Sequence, residues 1–106
     1  MPCGSFREAI VFFMIKSFRN AASRSAWERR FVKSIPNDIV RVAYRKLLQL
    51  HNARTLDDMR IPPGNRLEAL SGNRQGQYSV RINDQWRVCF VWEAGDAFEV
   101  EIADYD

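Results

Sequence analysis

Leu70-Ser71-Gly72-Asn73-Arg74-Gln75-Gly76-Gln77-Tyr78-Ser79-Val80-Arg81-Ile82-Asn83-Asp84-Gln85-Trp86-Arg87-Val88-Cys89-Phe90 is the stretch that decides how this chain is read. Its first part, to Gly76, is polar and punctuated by glycine, as a turn is. From Gln77 onward apolar side chains fall on every second position (Tyr78, Val80, Ile82), the period of a half-buried strand. Asn83-Asp84 supplies a hairpin turn, and Trp86, Val88, Phe90 and Trp92 carry the alternation into a second strand of the hairpin. The intervening positions belong to the opposite face, so Ser79, Arg81 and Arg87 point away from the core, with Arg74 in the turn leading in.

Working outward, Ala94-Gly95-Asp96 is a turn, and Phe98, Val100 and Ile102 predict a last strand with Glu99 and Glu101 on its open side. On the other flank, Arg66 to Leu70 predicts a short strand behind the breaker Pro62-Pro63-Gly64, and Thr55 to Met59 a single helical turn. From Pro36 to His51 the pattern becomes helical. Ile39, Ala43, Leu47 and Leu50 share one face, and Asp38, Arg41, Arg45, Gln49 and Asn52 follow the other. That basic stripe suits RNA or a partner protein, and equally a solvated helix face. Ser25-x-x-Glu28 reads as a capping box opening a first helix, with Trp27 and Phe31 one turn apart. Met14 to Phe18 alternates as a short strand. The expected fold class is α+β: an N-terminal strand, two helices, then a curved antiparallel sheet of about four strands covering them. The domain is expected over residues 14–106, with residues 1–13 an extension outside it and Met14 an alternative first residue.

A chain of 106 residues with 46% hydrophobic and 12% aromatic content is one globular domain. It contains no run near the roughly 18 apolar residues of a membrane span, so no membrane partner is expected. Residues 1–13 lack a basic n-region and a small-residue cleavage site, and no signal peptide is expected. Two cysteines, Cys3 and Cys89, make no disulfide framework, and one histidine without a Cys-x-x-Cys pair makes no zinc site. The expectation is a cytoplasmic protein with no metal and no cofactor. Charge is unevenly spread: residues 1–92 hold all sixteen Lys and Arg against seven acids, while residues 93–106 hold six acids and no base. A basic body favours a polyanionic partner such as nucleic acid.

Arg74, Arg81 and Arg87 are the candidate phosphate ligands, because guanidinium stays charged and offers paired donors. Ordinary surface arginines, or partners for the acidic last strand, are the alternative. Glu68 could act as a base near Arg87 or as a cross-strand ion partner. Tyr105, between Asp104 and Asp106, could stack on a base or move a proton, or simply cover the sheet edge. His51, ending the long helix, reads as a helix-terminal group rather than a catalyst. No phosphate-binding glycine loop, serine elbow or metal motif is present. RNA cleavage then becomes the accessible nuclease chemistry, since the substrate carries its own 2′-OH nucleophile and needs only a base, an acid and cations.

From Met14 to Tyr105 the chain resembles the RelE/ParE superfamily of toxins, in the HigB-like "plasmid maintenance system killer" branch of type II toxin–antitoxin systems. The motifs that carry the likeness are Met14-Ile15-Lys16-Ser17-Phe18, Leu70-Ser71-Gly72-Asn73-Arg74, the hairpin Arg81-Ile82-Asn83-Asp84-Gln85-Trp86-Arg87, and Asp104-Tyr105. The resemblance implies a compact RelE-like fold and a metal-independent endoribonuclease that enters the ribosomal A site and cuts mRNA, leaving a 2′,3′-cyclic phosphate. It implies a helix-turn-helix, HigA-like antitoxin, with operator DNA bound only through that antitoxin. By position, Arg87 matches the family's arginine on the scissile phosphate, and Asp104 and Tyr105 its C-terminal catalytic pair. Glu68 would be the base, with Arg74, Arg81, Ser71 and Asn73 around the phosphate and RNA. Three positions depart from well-studied relatives: Glu68 stands for a histidine, Ser71 for a lysine and Asp106 for a frequent final histidine. Two other expectations stay open on this resemblance, a ParE-like gyrase poison without nuclease activity and an attenuated toxin acting mainly as co-repressor.

Overall fold

The computed structural model describes residues 15–30 and 32–104. In chain order its elements are α1 (Ala21–Trp27), α2 (Asn37–Asn52), β1 (Glu68–Ala69), β2 (Gln77–Arg81), β3 (Trp86–Glu93) and β4 (Asp96–Asp104). Single 3-10 turns stand at Leu56–Arg60, Pro63–Asn65 and Gly72–Arg74. The strands form one antiparallel sheet in the order β1-β2-β3-β4, and the two helices pack on one face of it. The α+β expectation is met. Those expectations that concern residues 1–14, Phe31, Tyr105 and Asp106 lie outside the described residues.

The alternation read from sequence sets the core. Ile39, Ala43, Leu47 and Leu50 of α2 are buried against Val80, Val88, Phe90 and Val100 of the sheet. Tyr78, Ile82 and Trp92 complete the same apolar face, half-buried. Truncating one of the fully buried members, such as Leu47, would cost about 2–5 kcal/mol through lost transfer energy and the cavity left behind. The hairpin turn is closed by Asn83, whose side-chain oxygen accepts the N–H groups of Gln85 and Trp86 at 2.8 Å each. That local bond is why Asn suits the position.

Four expectations change. The first helix does not start at Ser25: Asn20 caps it, accepting the Ser23 N–H at 2.8 Å, and Ser25 falls within its C-terminal half. An asparagine with extended backbone satisfies an orphan N–H directly, and it outcompetes the downstream capping-box pattern. The helix stops where Arg29 enters the left-handed region at φ 62°.

The second change is in β4. Cys89 pairs with Glu101 but Val91 with Phe98, so β4 carries one extra residue between these pairs, with Glu99 at φ 53°. A bulge shifts alternation by one position. Ala97, Val100 and Ile102 therefore meet the core, while Phe98 moves to the other face. Third, the N-terminal segment makes two isolated parallel bridges, Ile15 to Ala97 and Phe18 to Val100, in place of a regular strand. The bulge explains this. Ser17 covers it, accepting the Glu99 N–H on its hydroxyl at 2.9 Å and the Val100 N–H on its carbonyl at 3.0 Å. Buried Ser23 of α1 accepts the Ile102 N–H at 2.9 Å, so the outer edge of β4 is satisfied by side chains as well as backbone. Fourth, the strand expected from Arg66 to Leu70 shrinks to two residues. Arg66 is left-handed, at φ 47°, and the Gly72–Arg74 turn follows at once.

Candidate functional site

The face of the sheet opposite the helices carries Glu68, Gln77, Ser79, Arg81, Arg87, Cys89 and Glu101, because directly paired residues share a face. Its centre is less open than alternation alone suggests. Ser79 and Cys89 are fully buried, so the charged side chains stand on a floor closed to water.

Arg87 occupies the middle. Its side chain is only 13% exposed. Its Nε–H donates to the Ser79 hydroxyl at 2.8 Å and an Nη2–H to the Arg66 carbonyl at 2.9 Å. Glu68 Oε1 lies 3.5 Å from the same Nη2. The left-handed turn at Arg66 is what brings that carbonyl to the guanidinium. Behind it, buried Asn65 fixes the loop: its side-chain amide donates to Gln49 Oε1 and to the Met59 carbonyl, and its oxygen accepts from Lys46 Nζ. Burial, and then the neighbouring Arg45 charge, holds the Lys46 pKa below its ordinary value.

The other two predicted arginines are paired as well. Arg74, half-buried, donates from Nη1 to Gln77 Oε1 at 3.0 Å and to Glu101 Oε1 at 3.1 Å. Arg19 reaches the same carboxylate at 3.7 Å. Arg81 is bonded to Asp84 across the hairpin turn and stands directly opposite Arg87. Two like charges facing each other across a pair of strands repel; an anion between them would relieve that repulsion.

Of the remaining predicted residues, Ser71 and Asn73 are exposed on the turn before β2, beside Arg74. Asp104 pairs with Trp86, which puts it on the helix-side register and not with Arg87; it accepts from Gln85 Nε2 at 3.1 Å. Tyr105 falls outside the described residues. Thus the fold brings Glu68, Arg81 and Arg87 together, places Arg74 beside Glu101, and sets Asp104 apart at the strand end. Sequence reasoning missed the Ser79 hydroxyl and the Arg66 carbonyl as holders of Arg87. Alternation does place Ser79 on the correct face, but no sequence pattern marks a backbone carbonyl as a ligand. His51 packs its ring 5.2 Å from that of Trp27, and burial lowers its pKa. Among the described residues no three His, Cys, Asp or Glu side chains gather as a metal site. Among them, too, no helix is long and apolar enough to cross a membrane.

Two helices under a four-stranded antiparallel sheet, with guanidinium groups on its far face, define a small α+β domain of the RelE-like type. The model of the family described as "RelE-like toxin of type II toxin-antitoxin system HigB" matches residues 16–105, and the chain belongs to that family. It is 48% identical over 63 residues to Toxin HigB-1 of Vibrio cholerae serotype O1, covering 59% of this chain and 66% of that protein. It is 36% identical over 59 residues to an uncharacterized protein of Haemophilus influenzae, covering 56% of this chain and 58% of the relative. Similarity to Endoribonuclease HigB of Proteus vulgaris is lower, 26%, but spans 92 residues, 87% of this chain and 99% of that one. The match therefore takes in just under two thirds of the first relative and less of the second.

Proposed function

We propose that this chain is a toxin that arrests growth as an endoribonuclease, cutting mRNA in the ribosomal A site, and that a helix-turn-helix antitoxin of the HigA kind holds it in check. The single observation that carries the reading is the setting of Arg87. Its guanidinium is held by a buried hydroxyl and a backbone carbonyl, with a carboxylate 3.5 Å away. Cations fixed before the reaction stabilise developing charge without reorganising at that moment.

In the proposed step Glu68 takes the proton of the substrate 2′-OH as its oxygen bonds to the adjacent phosphorus. The bond from phosphorus to the 5′-oxygen breaks, and Tyr105 supplies that oxygen with a proton. The products are a 2′,3′-cyclic phosphate and a 5′-OH. Arg87, with Arg81 opposite and Arg74 beside it, carries the extra negative charge of the transition state. Ser71 and Asn73 contact the neighbouring nucleotides. Asp104 positions the chain end that bears Tyr105. No metal or cofactor takes part in this scheme.

Expressed without antitoxin, the wild type should stop growth and leave truncated mRNA. Arg87→Ala should relieve the arrest while keeping its far-UV circular dichroism. A folded Arg87→Ala protein that stays fully toxic would sink the assignment, and trapped DNA breaks in place of cut mRNA would point to gyrase. One observation favours a second reading, an attenuated toxin kept mainly as co-repressor: Arg74, Arg81 and Arg87 each face a carboxylate of the chain itself. Asp106→His should raise toxicity under that reading.

A further inference from the structure

The bulge in β4 determines where one aromatic side chain points. Cys89 pairs with Glu101 and Val91 with Phe98. Continued without the extra residue, the first of these registers would set Phe98 opposite Trp92, whose ring packs against the core. The bulge instead delivers Phe98 to the open face beside Val91, and Ala97 takes the buried place. Unusual means hold this arrangement. Glu99 adopts φ 53°, a left-handed backbone that glutamate rarely takes. Ser17 is drawn across to accept the N–H groups of Glu99 and Val100. Phe98 gains no core packing from it: the side chain is half-buried, and neither it nor Val91 packs against the core. Among the described residues no aromatic ring contacts it. A bulge that strains the backbone and uncovers an aromatic ring re-aims that ring toward something outside the chain.

The neighbours of Phe98 indicate what that something is. Rows of paired residues cross the open face: Arg81 with Arg87, then Ser79 with Cys89 and Glu101, then Gln77 with Val91 and Phe98. A strand rises about 3.3 Å per residue, so the row of Phe98 lies about 13 Å from that of Arg87. Arg74 crosses above β3 between them, its Nη1 reaching Gln77 on one flanking strand and Glu101 on the other. A cation therefore stands between the buried arginine and an apolar, aromatic end of the same face. Resting on the nuclease reading of this face, we propose that Phe98 is the stacking platform for an unpaired base of the mRNA. That base lies on the order of two nucleotides from the linkage at Arg87, with Arg74 on the phosphate between. Every base has a π face, and a phenyl ring has no polar group with which to choose among them. The platform thus seats the strand without reading its sequence. It acts on strand binding and leaves proton transfer to Glu68 and Tyr105.

The test is fluorescence anisotropy of the full chain on a short single-stranded RNA with 2′-O-methyl sugars, which cannot be cut by 2′-OH attack. A second strand of the same length and sugars, but without bases, is the comparison. The wild type should bind the strand with bases about tenfold more tightly. Phe98→Ala should erase most of that difference while leaving the slope of log affinity against log salt unchanged, since no charge is removed. Phe98→Trp should keep the difference. Phe98→Leu, which retains apolar volume without a ring, should lose it as alanine does, and guards against a folding defect in the alanine variant. Arg87→Ala should weaken binding of both strands alike and make the salt slope shallower. A folded Phe98→Leu protein that keeps the full preference for bases overturns the platform and leaves the nuclease reading standing. Equal affinity of the wild type for the two strands also overturns it. Failure of the nuclease reading shows elsewhere, as undiminished toxicity of Arg87→Ala.

Discussion

Ser79→Ala tests the link between packing and the site most directly. Ser79 is fully buried and its hydroxyl accepts the Arg87 Nε–H at 2.8 Å, while the Arg87 side chain is itself 13% exposed. Removing the oxygen leaves a charged donor short of one acceptor in a place water reaches poorly. Hydrogen bonds to charged groups contribute about 1.5–3 kcal/mol, so the expected loss of stability is roughly 2 kcal/mol. For a domain of this size that lowers Tm by about 8–16 °C. Part of this loss belongs to the pair and not to the serine, and a double-mutant cycle with Arg87→Ala isolates it. In the Arg87→Ala background Ser79→Ala should cost little, giving a coupling of about 1–2 kcal/mol by urea denaturation. Toxicity should fall with Ser79→Ala even at temperatures where the variant is fully folded, because the guanidinium loses part of its orientation. A coupling within about 0.5 kcal/mol of zero, the usual range for unrelated surface sites, would refute the claim that this buried hydroxyl holds the arginine.

Asn65→Ala removes a fully buried amide that serves Gln49, Met59 and Lys46; the expected cost is on the order of 3 kcal/mol, read by thermal denaturation, with loss of toxicity as the Arg66 carbonyl shifts. Because burial lowers the pKa of His51, the unfolded chain binds a proton more tightly than the folded one. Stability should therefore fall as pH drops below the ordinary histidine value and on through the depressed one, and His51→Gln should flatten the Tm profile there. Glu101→Gln breaks the carboxylate contact to Arg74 and Arg19, and because that side chain is only 16% exposed it should cost about 1.5–3 kcal/mol while raising affinity for an uncleavable RNA measured by fluorescence anisotropy. Unchanged affinity would show that Glu101 does not restrain Arg74.

Much of the fold is legible because its signals are periodic. The core residues of α2 and the apolar face of β2 and β3 follow from spacing alone, and the structure buries them as expected. Of the site, alternation places Arg81 and Arg87 on one face and Glu68 within reach. Two of the misses, the two-residue β1 and the bulge at Glu99, are settled by backbone groups finding partners elsewhere in the chain. The cap at Asn20 is different, a local bond to the Ser23 N–H three positions on. Ser17 closes the bulge across 82 positions and Ser23 reaches Ile102 across 79, separations that no local pattern reports. Phe98 shows the consequence: the bulge moves it to the face opposite Val100 and Ile102, whereas Asp104 keeps the side that alternation gives it.

By itself the sequence determined the layers of this protein, since period-two and helical spacing dictate which side chains must leave water, and it determined which cations remain on the uncovered face. Only tertiary structure decided what those cations touch. A guanidinium takes its orientation from acceptors, and for Arg87 these are a hydroxyl on the neighbouring strand and a carbonyl at a left-handed turn, 8 and 21 positions away.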